Sequence, residues 1–165
     1  CQSAGLQIHR RLGGAQGVVV IAPDGARFIH YGDMGPPSPA ALLASANIQF
    51  VEQQAGAAGV SHYTRFSRPV KMESVRESVA DVVVTMKTIV TDGEIKAGIY
   101  GEEMLIAERA SGQPLATFRY FWTVPRPVES CPKPKQGINT SQIVSYVVGL
   151  KDPTLEERWR GAFIP

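Results

Sequence analysis

VVVTMKTIV (82–90) and LATFRYFWTV (115–124) are the two stretches whose reading decides the fold. In the first, Val82, Val84, Met86 and Val90 fall on one side of an extended chain, with Thr85 and Lys87 on the other. In the second, Phe118, Tyr120 and Trp122 share a side, opposite Arg119 and Phe121. Between them Asp92-Gly93 is a hairpin-turn signal leading into Ile95–Tyr100, which continues through a bulge at Gly101 into Met104–Arg109. Ala110-Ser111-Gly112-Gln113 turns the chain again. An antiparallel meander of three strands, at about residues 82–124, is therefore expected as the structural heart.

Outward from it, Val18–Ala22 is a short β-branched run that ends in Pro23-Asp24-Gly25 and returns over 26–31, an N-terminal hairpin. Ser38 and Pro39 open a helix expected over 39–55, with Leu42, Leu43, Ala46, Phe50 and Val51 as its apolar stripe. That helix carries one charge, Glu52, which predicts cover on both sides. Val60–Phe66 alternates as a strand, and 71–80 reads as a short helix or loop. Pro125, Pro127, Pro132 and Pro134 make 125–136 an extended arm, neither strand nor helix. C-terminal helices follow. One is capped by Thr140 or Ser141, though the β-branched content of 143–148 leaves a strand as the alternative there, and the other opens with the Thr154-x-x-Glu157 capping box and carries Trp159. Residues 1–16 read as an irregular or partly helical lead-in. The expected whole is one α+β domain over 1–165.

The chain has 165 residues, 44% hydrophobic and 19% charged, which is globular composition and enough for one core. Seventeen basic against 15 acidic residues give a net charge of +2, so no electrostatic case exists for a nucleic-acid partner. No apolar run approaches the ~20 residues of a membrane-spanning helix. His9, His30 and His62 show no metal-ligand spacing, and no metal is expected. Asp24, Asp33, Glu102 and Glu103 are carboxylates near expected turns with no spacing that marks a general acid–base pair, and turn chemistry accounts for Asp24 and Asp33. Nucleophile elbows, phosphate loops and dinucleotide fingerprints are absent from the sequence, and no catalytic residue is assigned.

The cysteines are Cys1 and Cys131. Cys1, followed by Gln2, resembles the first residue of a mature bacterial lipoprotein, a class cut just before a cysteine whose sulfur carries a diacylglycerol. Two or three acyl chains bury enough CH₂ groups, at about 0.8 kcal/mol each, to anchor a domain stably. The stretch 108–117, ERASGQPLAT, is loosely similar to hairpin turns of several small bacterial lipoproteins. A disulfide between Cys1 and Cys131 is the alternative, excluded if the Cys1 sulfur is acylated. A third reading makes Cys1 an N-terminal nucleophile with its own α-amine as base. Against a plain tether, Leu6, Ile8 and Leu12 bring apolar residues early.

The resemblance implies a non-enzymatic cell-envelope lipoprotein on the periplasmic side of the outer membrane. Its partners would be other envelope proteins, it would touch the membrane through the Cys1 lipid alone, and it would need no cofactor besides that lipid. Arg119, Phe121, Lys133 and Lys135 are its expected interface, since aromatics and arginine are enriched at such contacts. The alternative function is a soluble periplasmic or secreted binding module that holds a small apolar ligand, lipid or peptide between sheet and helix.

Overall fold

The computed structural model describes residues 4–22, 35–55, 62–69, 71–124, 130–131 and 139–150. They form an α+β arrangement of one mixed sheet and three short helices. The strands are β1 (Gly5–Ile8), β2 (Gly17–Ile21), β3 (Phe50–Ala55), β4 (His62–Ser67), β5 (Lys71–Val75), β6 (Val82–Thr88), β7 (Ile99–Glu108), β8 (Pro114–Thr123) and β9 (Ser130–Cys131). The helices are α1 (Pro39–Ser45), α2 (Asp92–Lys96) and α3 (Thr140–Val147). Strand order is β1-β8-β7-β6-β2-β3-β4-β5, with β9 also on β8.

The expected meander is present as β6-β7-β8, antiparallel throughout. A second antiparallel meander, β3-β4-β5, lies across the sheet. Between them runs β2, parallel to the first strand of each. Its GVVVI sequence suits that place, because a strand buried on both faces reads as a continuous apolar run. The other arm of the expected N-terminal hairpin, 26–31, lies outside the described residues, as does the 154–157 helix.

One face of the sheet is the core face. Val18, Val51, Val82, Val84, Met86, Met104, Ile106, Phe118, Tyr120 and Trp122 point into it and meet Leu42 of α1 and Ile143, Val144 and Val147 of α3. α3 is buried nearly all round, including Ser141 and Ser145, so its β-branched side chains pack in a setting that overrides helix propensity. Hydroxyls join it to α1: Ser45 and Ser145 are 2.7 Å apart, and Ser141 accepts from the Ser38 N–H at 2.9 Å. The cap of α3 is Asn139, in a reciprocal box with Gln142, and not Thr140 or Ser141 as expected.

Four expectations need correction. The helix expected over 39–55 stops at Ser45, and 50–55 is β3. A helical stripe groups Phe50 with Val51, whereas here Val51 faces the core and its neighbours Phe50 and Glu52 face away. Ladders to β2 and β4 on both sides outweigh the local helical spacing. Residues 71–75 form edge strand β5 instead of a helix or loop. Asp92-Gly93 is the start of α2 and not a hairpin turn, because Thr91 and Glu94 form a capping box around it. Val90 then leaves the core row and packs over Gly101 on the opposite face. Finally, the lead-in and the proline arm each supply a strand: β1 pairs with 116–119 and β9 with 121–122, end to end along the outer edge of β8.

Candidate functional site

On the sheet face away from the helices, each meander carries a ladder of alternating charge. Lys87, Glu103 and Arg119 are direct cross-strand neighbours on β6, β7 and β8. Lys87 Nζ lies 2.7 Å and Arg119 Nε 2.5 Å from the Glu103 carboxylate. The acid is 7% exposed, whereas Lys87 and Arg119 are 59% and 44% exposed, so the ladder shows its two cations to solvent. Glu52, Arg65 and Glu73 form the inverse ladder on β3, β4 and β5. Arg65 donates twice to Glu52 Oε1, at 2.9 and 2.7 Å, and reaches Glu73 at 3.4 Å. Glu52 is fully buried, and its Oε2 has no hydrogen-bond partner.

Burial pushes the Glu103 carboxyl up, but the hydrogen bonds and charges of Lys87 and Arg119 outweigh it and hold it below the usual carboxylate range. The folded protein therefore binds fewer protons here than the unfolded chain. The resulting stabilisation is complete above the unfolded value of about 4.3 and is lost as pH falls through the lower folded value. Glu103→Gln is expected to flatten the acid limb of the stability curve, measured as urea midpoints from about pH 7 down to about pH 3.

Two aromatics on this same face cover glycines across the strand. Phe121 lies over Gly101, where a Cβ would meet its ring at 2.5 Å, and Phe50 likewise covers Gly17. Phe121 thus has a packing role within the fold and is half-buried, while Arg119 beside it is exposed at its tip. Lys133, Lys135 and Cys1 lie outside the described residues. The backbone of Cys131 pairs with Phe121 in β9.

On the core face Glu102 is paired with Tyr120, whose hydroxyl donates to its carboxylate. Glu102 and Glu103 are therefore mid-strand residues, 4% and 5% exposed on opposite faces, and not turn carboxylates as expected. Burial first, then the charge and hydrogen bond of Glu102, raise the Tyr120 phenol far above its usual value, so it remains a donor. Phe118, Tyr120, Trp122 and Tyr100 stack in one column with centroids 5.3–5.5 Å apart. The Trp122 indole N–H is buried without a partner. Tyr120→Phe removes a donor from a buried carboxylate and is expected to lower stability by about 1–3 kcal/mol in equilibrium unfolding.

Where α1 meets the β3–β4 region the surface opens into a groove of about 760 Å³, lined by Pro39, Ala40, Leu43, Ala44, Phe66 and Pro69, with Ser38, Gln53, Ser67 and Arg68 as its polar members. The cover expected on both sides of the first helix is thus missing on this side, where Ala40 and Ala44 are exposed. Among the described residues no three histidines, cysteines or acids gather as a metal site, and no helix is long and apolar enough to cross a membrane. His9 and His62 are exposed, and His30, Asp24 and Asp33 lie outside the described residues.

Comparison with protein families, curated proteins and solved structures finds no match. The surfaces themselves carry the functional reading. Arg65, Arg68 and Glu52 carry no motif; strand register brings Glu52 and Arg65 together, and Arg68 follows the end of β4.

Proposed function

We propose that this chain is a non-enzymatic accessory subunit of the cell envelope, anchored by lipid on Cys1 and docked on the acidic surface of another envelope protein. The observation that carries the reading is the pairing of Gly5 with Arg119. The chain joins the sheet at Gly5, four residues after Cys1, a span of at most about 14 Å. A lipid on Cys1 would therefore sit within about that distance of the β8 edge beside Arg119, with Phe121 two residues further along the same strand. A domain held this closely to a bilayer presents that corner to neighbours at the membrane surface. Exposed cations around a neutralised, buried Glu103 favour an acidic partner surface, and arginine with a half-buried aromatic suits a protein contact.

Two measurements test this. Mass spectrometry of the native N-terminus should find a triacyl adduct on Cys1. A mass two daltons short and restored by reductant supports the disulfide-bearing module instead, and a free Cys1 whose alkylation abolishes a hydrolytic activity supports an enzyme. A photo-crosslinker placed at Thr117 should then capture one defined envelope protein in cells, and Lys87→Glu with Arg119→Glu should abolish that crosslink. A crosslink indifferent to both reversals removes the corner as the docking site.

A further inference from the structure

We propose that the groove between α1 and the β3–β4 region binds a long-chain carboxylate, with the hydrocarbon tail along Leu43 and Phe66 and the carboxylate on Arg68. This site lies on the helix face, towards the β5 edge, away from the Lys87–Glu103–Arg119 corner, and stands independently of the accessory-subunit reading.

Three observations carry it. First, about 760 Å³ is within the roughly 300–1,000 Å³ range of small-molecule sites, and the lining is mostly apolar. Second, α1, PAALLAS, has no charged residue, yet Ala40 and Ala44 are exposed in the groove and Leu43 and Phe66 are only half-buried. The cross-strand neighbour of Phe66 is Met72, 70% exposed, so the apolar surface continues beyond the groove to the edge strand. An extended tail fits a surface of this shape better than a compact ligand. Third, the lining contains one cation, Arg68, and no acid. Among the described residues Arg68 makes one side-chain hydrogen bond, at 3.3 Å to the Ala46 carbonyl, which leaves further N–H donors for an anion. Among the described residues β5 is the last strand of the sheet, so a peptide strand would instead add along its backbone edge, whereas the groove is lined by side chains of α1 and its cap, of Gln53 and of residues 66–69.

The full chain is titrated with 11-(dansylamino)undecanoic acid, and the bound probe is then competed with palmitate, hexadecanol and acetate. Palmitate should displace the probe, hexadecanol should compete at least about tenfold more weakly for want of the charge-assisted bond, and acetate should not compete. Arg68→Gln should weaken palmitate about tenfold or more and leave hexadecanol unchanged. Ala44→Glu changes an exposed residue that the fold does not need, and its carboxylate should weaken palmitate more than hexadecanol. Circular dichroism of both variants should match the parent. No probe binding, equal competition by palmitate and hexadecanol, or palmitate binding unchanged in both folded variants would each overturn the proposal.

Discussion

Arg65→Met is expected to destabilise the domain by about 3–5 kcal/mol, the range for stripping a buried ion of its partner. Glu52 is fully buried, and both donors that reach its Oε1 come from the Arg65 guanidinium. The substitution keeps most of the apolar stem and removes the charge, so an uncompensated carboxylate is left in the middle of the sheet. Arg65 also lies over the Phe50 ring, 4.9 Å from its centroid, and Phe50 covers Gly17, so the loss propagates to the β2–β3 pairing. The paired change Glu52→Leu with Arg65→Met removes both charges and should recover most of the loss, because replacing a whole buried pair by apolar groups is often neutral. Chemical denaturation of the parent, both single variants and the double variant measures the coupling. A single-variant cost below about 1 kcal/mol would put the pair in the class of surface salt bridges.

Gly149→Ala should be comparably damaging, for a reason that lies in backbone and not in charge. Gly149 follows α3 with φ near +117°, a conformation that costs a side-chain-bearing residue on the order of 1–3 kcal/mol. Its missing Cβ is also where the chain crosses the Gly13-Gly14 backbone, which an added methyl would meet at 3.1 Å. The Gly13-Gly14 loop would have to give by a few tenths of an ångström to admit that methyl, and overpacking adds up to about 1–3 kcal/mol where it does not. The junction is fixed further by the Leu12 N–H on the Val147 carbonyl, at 2.9 Å, and by Arg11, which bonds the carbonyls of Tyr146 and Leu150 and lies over the Tyr146 ring. A cation there caps the C-terminal end of α3. Thermal unfolding should show the loss as a single shifted transition. An unchanged midpoint would mean that the Gly13-Gly14 loop gives way freely.

Several features of the site were written plainly in the chain and others were not. Alternation in 82–88 and 115–124 places Met86, Phe118, Tyr120 and Trp122 in the core and Lys87 and Arg119 outside, as found, because a half-buried strand imposes a period of two. The Thr91-x-x-Glu94 box is the same signature as Thr154-x-x-Glu157, and reading it would have turned the 92–93 turn into α2. Phe50 and Val51 on successive positions favour a strand over a helix once Glu52 and Gln53 are included, though the stripe from Leu42 masks it. Nothing local announces the ladders, since Glu52 and Arg65 are 13 residues apart and Glu103 and Arg119 are 16 apart.

By itself the sequence determined that 82–124 folds as an antiparallel meander, that one helix opens at Ser38 and Pro39 and another near residue 140, and that sheet and helices share one core. Those outcomes follow from side-chain period, caps and turns, whose energies are settled within a few residues. Only the tertiary structure decided that β2 runs parallel between two meanders, that 50–55 becomes a strand, and that buried acids meet their cations across strands. Those choices depend on hydrogen-bond ladders and charge pairs closed between distant segments, and such energies do not exist until the partner strand is in place.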